Sequence, residues 1–103
     1  MNSRLILVLL AVVVAPVTEE LLFRGWIYTS LRHRFGLWTA VIASSAVFAI
    51  AHYEDTHIYA LVVFPIGLAL AALRERTGSV KAPILLHALN NFAAVAFSLI
   101  IDH

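Results

Sequence analysis

A chain of 103 residues is long enough for one domain, and its composition is that of a membrane protein. Apolar residues make up 62% and charged residues 13%, compared with roughly 45–50% and about 25% in soluble domains. With a net charge of +1, no basic stripe and no cysteine, the chain is not expected to bind nucleic acid, form disulfides or use a thiolate nucleophile.

Four apolar stretches follow one another, and none shows the alternation of a β-strand. They predict helices over residues 5–33, 37–53, 57–76 and 82–101, and therefore an all-α, polytopic bundle of about four transmembrane helices forming one domain over residues 1–103. The second and fourth stretches reach the roughly 17–25 residues of a spanning helix, and the third nearly does. Basic residues follow the first and third helices, which predicts cytoplasmic loops there and both termini outside the cell membrane.

The first helix contains three charged residues, Glu19, Glu20 and Arg24. A charge inside a spanning helix costs about 2.5–3.5 kcal/mol on insertion scales, so such residues usually form pairs or do chemistry. Glu20 and Arg24 are spaced i and i+4, with the glutamate on the N-terminal side, which is the better order for an ion pair. Glu19 lies about 100° around the helix, without a local partner. The spacing predicts a structural Glu20–Arg24 pair and leaves Glu19 free for chemistry.

Two other helices also carry polar residues at helical spacing. Phe48 and His52 are i and i+4 on the second helix, as are His87 and Asn91 on the fourth. Asn90 lies on nearly the same face as His87, and the spacing alone does not choose between the asparagines. Each residue has an ordinary explanation, such as a histidine at the interface or an asparagine that bonds a neighbouring helix. The combination of one carboxylate, two imidazoles and one carboxamide on three helices favours a shared site.

Three segments resemble the motifs of one family, in the family's order. Residues 19–24 match Glu-Glu-x-x-x-Arg and are followed by the usual Gly25, residues 48–52 match Phe-x-x-x-His, and residues 87–91 match His-x-x-x-Asn. The sequence therefore resembles the CPBP (CAAX protease and bacteriocin-processing, or Abi) family of intramembrane glutamic endopeptidases. The resemblance covers about residues 15–92. The sequence differs from the family pattern at its ends, because family members usually carry extra spanning helices, mostly upstream.

The resemblance implies hydrolysis of a peptide bond in a membrane-associated peptide, including prenylated CAAX-type peptides. Carried over by motif, Glu19 and His52 activate a water molecule, while N–H groups of His87 and Asn91 stabilise the oxyanion. The match thus favours Asn91 over Asn90. The implied mechanism uses no metal or other cofactor, and the expected partners are membrane lipid and a protein or peptide substrate.

Two alternatives remain open. A zinc-dependent membrane protease could use Glu19, His52 and His87 as ligands, although the helical His-Glu-x-x-His signature is absent. A non-catalytic membrane scaffold or bacteriocin-immunity protein could have the same fold, because a fold does not determine function.

The depths of the two histidines pose a geometric problem. At about 1.5 Å per residue, His52 lies roughly 22 Å from the start of its helix, whereas His87 lies only about 8 Å from the start of its own. A shared site requires a helix to tilt or break, or the loop of residues 77–83 to dip inward. The candidate bend points are Pro16, Gly25, Pro65, Gly67 and Pro83.

Overall fold

The computed structural model describes residues 2–52 and 57–102, which contain four helices and no strand. The helices are α1 (Ser3–Phe35), α2 (Leu37–Ala51), α3 (His57–Thr77) and α4 (Lys81–Ile101). This arrangement confirms the predicted all-α class. Residue 53, the predicted end of the second helix, lies outside the described residues.

Three of the four helices have the length and composition of a membrane span: Ser3–Phe35, Ile58–Thr77 and Lys81–Ile101. Helix α2 has only 15 residues, which corresponds to about 22 Å, compared with roughly 30 Å for the hydrocarbon core. It begins at the predicted Leu37 and ends at Ala51, two residues before the predicted end. Gly36, whose φ of 91° is in the left-handed region, separates it from α1.

Several polar groups are inside the bundle, beside apolar residues such as Phe48 and Leu70, and many large apolar side chains are outside. Glu20, Arg24 and His87 are buried, together with two serines of α2. By contrast, Trp38, with 73% of its surface exposed, and Leu61, with 74%, point away from the bundle. This distribution suits lipid, which solvates apolar side chains and leaves polar groups to satisfy one another.

Helices α1, α2 and α3 meet most closely at Gly67 of α3. A Cβ atom there would lie 3.2 Å from Phe48 Cδ2, and 3.3 Å from both Ser45 Cα and Arg24 Nη2. Because that space is filled, a small residue is needed for close helix packing. The same close approach brings the Gly67 carbonyl within reach of the Arg24 side chain.

The turn between α3 and α4 lies far along α1 from the turn between α1 and α2. Val80 Cγ1 is 3.7 Å from the point that a Cβ at Gly25 would occupy. Helix α1 continues from Gly25 to Phe35, a further distance of about 15 Å at the helical rise. Helix α4 therefore begins about that much deeper than α2, which accounts for the depth difference between the histidines. Residues 77–83 therefore lie inward along α1, as the predicted inward loop requires.

Two π-helical segments interrupt α1, at Leu10–Val14 and Leu21–Ile27. The Ala15 N–H donates to Leu10 O, and the Tyr28 N–H donates to Phe23 O, each five residues back. Between them lies the α-helical segment Ala15–Glu20, which carries both glutamates. Segments of this kind are frequent at functional sites. The sequence periodicity did not predict them.

Candidate active site

The predicted ion pair is present at the centre of the bundle. Arg24 Nη1 donates to Glu20 Oε2 at 3.0 Å, and neither side chain has any exposed surface. Arg24 Nη2 donates to Gly67 O at 2.9 Å, and the guanidinium carbon lies 4.3 Å from the centre of the Phe48 ring. Arg24 therefore joins three helices through a charge pair, a backbone carbonyl and a cation–π contact.

Glu20 also contacts His87, a link that the sequence analysis missed. His87 Nδ1 lies 2.7 Å from Glu20 Oε2, the same oxygen that accepts from Arg24. Because an ionised carboxylate can only accept, the hydrogen of a neutral His87 ring is on Nδ1. Glu20 thus orients the ring as well as pairing with Arg24. No local signal could reveal this bond, since its partners are 67 positions apart.

Glu19 lies between the two histidines. Its Oε1 atom is 3.4 Å from His87 Nε2 and 3.8 Å from His52 Nε2. His52 Nδ1 is 2.7 Å from the Phe48 carbonyl, which can only accept, so the hydrogen of a neutral His52 ring is also on Nδ1. The Nε2 lone pairs of both neutral rings therefore lie near the Glu19 carboxylate. Three acceptor groups converge there, and a water molecule is a suitable donor to them.

The tautomer of His87 bears on its expected role as an oxyanion donor. A neutral ring with its hydrogen on Nδ1 has no N–H at Nε2, the atom nearest Glu19. His87 can therefore donate to an oxyanion from Nε2 only after that atom has received a proton. The sequence indicated the residue, but the tertiary contact with Glu20 constrains when it can act.

The four predicted catalytic side chains line a single cavity of about 240 Å³. Helices α1, α2, α3 and α4 all contribute to its lining: Ala11, Ala15, Glu19, Phe48, His52, Tyr59, Val63, Ile66, His87, Asn90 and Asn91. Glu19 has 32% of its side chain exposed and His52 21%, so the cavity opens to the outside of the bundle. Its walls are mainly apolar, with a few convergent polar groups, as is usual for a binding site.

The two asparagines, which the spacing did not separate, differ in their contacts. Asn91 Nδ2 donates to the Ala11 carbonyl of α1 at 2.8 Å and is partly buried. Asn90 is exposed, although it also borders the cavity. Within the described residues, a hydrogen bond between helices therefore fixes the orientation of Asn91 but not that of Asn90.

The zinc alternative involves the same side chains that converge at the cavity, Glu19, His52 and His87. Within residues 2–52 and 57–102, no group of three His, Asp or Glu side chains is arranged to hold a metal ion. Glu19, His52 and His87 do meet, but as neighbours of one cavity.

A second polar network joins α1 to α3 beyond the cavity. The Tyr28 hydroxyl donates to Glu75, and Arg32 Nη2 lies 3.1 Å from the same carboxylate. Arg74 Nε donates to the Arg24 carbonyl at 3.2 Å. That carbonyl loses its usual helical donor because the Tyr28 N–H turns to Phe23 O. These bonds join the end of α3 to α1 outside the cavity.

Comparison with known proteins assigns the chain to a family. Residues 1–93 match the family described as type II CAAX prenyl endopeptidase Rce1-like. The chain is 35% identical over 86 residues to an uncharacterized 24.3 kDa protein of Escherichia coli, covering 80% of this chain and 40% of that protein.

Two other relatives match nearly the whole chain. A Bacillus subtilis protein that bears the name "Putative membrane peptidase YdiL" is 29% identical, over 91% of this chain and 38% of its own length. The UPF0177 protein YbdI of Lactococcus lactis is 30% identical, over 90% of this chain and 49% of its own length. No solved structure matches the chain.

The chain spans less than half the length of each of these relatives. Its three helices of spanning length and its match to a membrane peptidase family make it a multi-pass integral membrane protein. The motifs that suggested the resemblance, around Glu19, His52 and His87, all lie within the matched residues. The chain therefore belongs to the Rce1-like family of type II CAAX prenyl endopeptidases.

Proposed function

We propose that this chain hydrolyses a peptide bond of a membrane-associated peptide, of the prenylated CAAX type, with a water molecule activated by Glu19. The observation that carries the proposal is the position of Glu19 Oε1, which lies 3.4 Å from His87 Nε2 and 3.8 Å from His52 Nε2. A carboxylate flanked by two imidazoles can accept a proton from water and pass it on.

Water is the nucleophile in this proposal, in place of a serine, threonine or cysteine side chain. None of the described residues that line the cavity is Ser, Thr or Cys, so the lining supplies no group of those kinds for an acyl-enzyme. The oxygen of the water attacks the carbonyl carbon, and its proton passes to Glu19 with assistance from His52. The C–N bond then breaks, and the leaving amine takes up that proton.

The oxyanion of the tetrahedral intermediate needs hydrogen-bond donors near the reacting carbon. Asn91 has a second amide hydrogen in addition to the one that bonds Ala11 O. His87 can donate from Nε2 while it holds the proton that Glu19, 3.4 Å away, has taken from the water and that the leaving amine later receives, and Glu20 then balances the charge through Nδ1. Donors of this kind contribute about 2.7–4 kcal/mol each in enzymes that use an oxyanion hole.

The test is cleavage of a fluorescent, prenylated CAAX-type peptide by the full chain in detergent micelles or liposomes. Glu19→Gln keeps the shape of the side chain but removes its basic oxygen, so cleavage is expected to stop. Glu75→Gln is the matched control, because the same change is made outside the cavity, where the carboxylate pairs with Arg32. It is expected to cleave at the wild-type rate.

Each other outcome points to a different conclusion. Full cleavage by Glu19→Gln would refute the role of Glu19. Loss of cleavage on addition of a chelator, with recovery on addition of Zn²⁺, would favour the zinc protease instead. A wild-type chain that cleaves no peptide, while Glu19→Gln keeps the biological effect of the protein, would favour the scaffold.

A further inference from the structure

The first π-helical segment of α1 leaves one carbonyl without its normal donors. In an α-helix the Ala15 N–H would donate to Ala11 O, but here it donates to Leu10 O. In a π-helix the donor to Ala11 O would be the backbone nitrogen of residue 16. That residue is Pro16, which has no N–H. The Ala11 carbonyl therefore lacks both helical donors.

Asn91 supplies the missing hydrogen bond from another helix. Its Nδ2 atom lies 2.8 Å from Ala11 O. An unsatisfied carbonyl is costly in the interior of a membrane protein, so this bond is strongly favoured. Only the nitrogen end of a carboxamide can donate to a carbonyl, and the bond therefore fixes which way the Asn91 amide faces.

We propose that Pro16 is a positioning residue for hydrolysis, since its missing N–H leaves Ala11 O free to orient the Asn91 carboxamide beside the cavity. The inference rests on the proposed function, in which the second amide hydrogen of Asn91 stabilises the oxyanion. Pro16 itself has less than 2% of its surface exposed and is not among the described residues that line the cavity. It therefore acts through Asn91 and does not touch the substrate.

Pro16→Ala provides a direct perturbation of this arrangement. In α-helical register the Ala15 N–H returns to Ala11 O, and in π-helical register the new N–H of residue 16 reaches it. Either way, a backbone donor competes with Asn91 for the carbonyl. Alanine is the most favourable residue in a helix, so α1 is expected to remain folded.

The experiment is a double-mutant cycle of peptide cleavage with Pro16→Ala, Asn91→Ala and the combined variant. We expect Pro16→Ala to lower kcat up to about 100-fold, the scale of a small misplacement of a catalytic group, with KM unchanged. In the Asn91→Ala background it should cause no further loss. The matched control is Pro65→Ala, which changes the proline inside α3 away from the cavity lining. Its effect on kcat should be equal in both backgrounds.

A second readout does not depend on activity. The side-chain amide signal of Asn91, identified by its disappearance in Asn91→Ala, is followed by ¹⁵N NMR in detergent micelles. Pro16→Ala is expected to shift this signal, whereas Pro65→Ala is expected to leave it in place.

In a wild type that cleaves, the inference is overturned if Pro16→Ala leaves either kcat or the Asn91 signal unchanged, or if it lowers kcat equally in both backgrounds. If the wild type cleaves nothing but Pro16→Ala still shifts the signal, orientation of Asn91 by Pro16 stands and the proposed function fails. If the wild type cleaves and the signal does not move, the function stands and the inference fails.

Discussion

Among the described residues, two arginines of α1 pair with glutamates, Arg24 in a buried pair and Arg32 in an exposed one, and they allow a sharp test of what holds the bundle together. Arg24 is fully buried and loses three contacts in Arg24→Ala: Glu20 at 3.0 Å, the Gly67 carbonyl at 2.9 Å and the Phe48 ring at 4.3 Å. The truncation leaves the Glu20 carboxylate with His87 as its remaining partner among the described residues.

The magnitude follows from the cost of leaving a buried charge without its counter-ion. Breaking a buried pair by removing one partner typically costs about 3–5 kcal/mol. Since Glu20 keeps its bond to His87, we expect Arg24→Ala to lower the free energy of unfolding by about 3 kcal/mol, the lower end of that range. The matched change, Arg32→Ala, breaks a pair with Glu75 in which 43% of the arginine side chain is exposed. Such pairs contribute little, because water screens them.

The assay is equilibrium unfolding in mixed micelles, followed by far-UV circular dichroism as a denaturing detergent is added. Arg24→Ala should unfold at a clearly lower detergent fraction than the wild type, and Arg32→Ala close to it. Equal shifts for the two variants would show that burial of the Glu20–Arg24 pair does not govern stability. A normally stable Arg24→Ala variant that has lost only cleavage would make Arg24 part of the chemistry and refute its structural role.

Two further predictions concern the cavity and the helix packing. His52→Ala should abolish peptide cleavage, and His87→Ala should lower its rate by about 100- to 1,000-fold, with the helical circular dichroism signal retained; wild-type rates in either would remove that histidine from the mechanism. Gly67→Ala should reduce stability in the same unfolding assay by about 1–3 kcal/mol, because its Cβ would lie 3.2 Å from Phe48. Gly25→Ala, whose Cβ would meet only contacts of 3.7 Å and longer, should be tolerated, and equal losses would contradict the packing argument.

The two π-helical segments show how α1 is adapted to carry a site. Each segment leaves one carbonyl without its usual helical donor, and in each case a side chain of another helix donates to that carbonyl. Asn91 donates to Ala11 O, and Arg74 donates to Arg24 O. The α-helical segment Ala15–Glu20 between them holds the glutamates. The interruptions therefore tie α1 to α3 and α4 on both sides of Glu19 and Glu20.

What the sequence by itself determined is local. The four helices follow from apolar stretches of suitable length, and the Glu20–Arg24 pair follows from i, i+4 spacing, because neighbouring turns of one helix bring those side chains together. The motifs identified Glu19, His52, His87 and Asn91, which line one cavity as expected, and their catalytic roles stay predictions.

Tertiary structure alone decided how these local features meet. The bond from His87 to Glu20 joins residues 67 positions apart, and no periodicity within a helix encodes such a distance. The depth of α4 depends on Val80 packing beside Gly25, which a count of residues along straight helices could not give. The physical reason is that the helical repeat fixes which side chains share a face, whereas packing and long-range hydrogen bonds fix how far each helix slides along its neighbours.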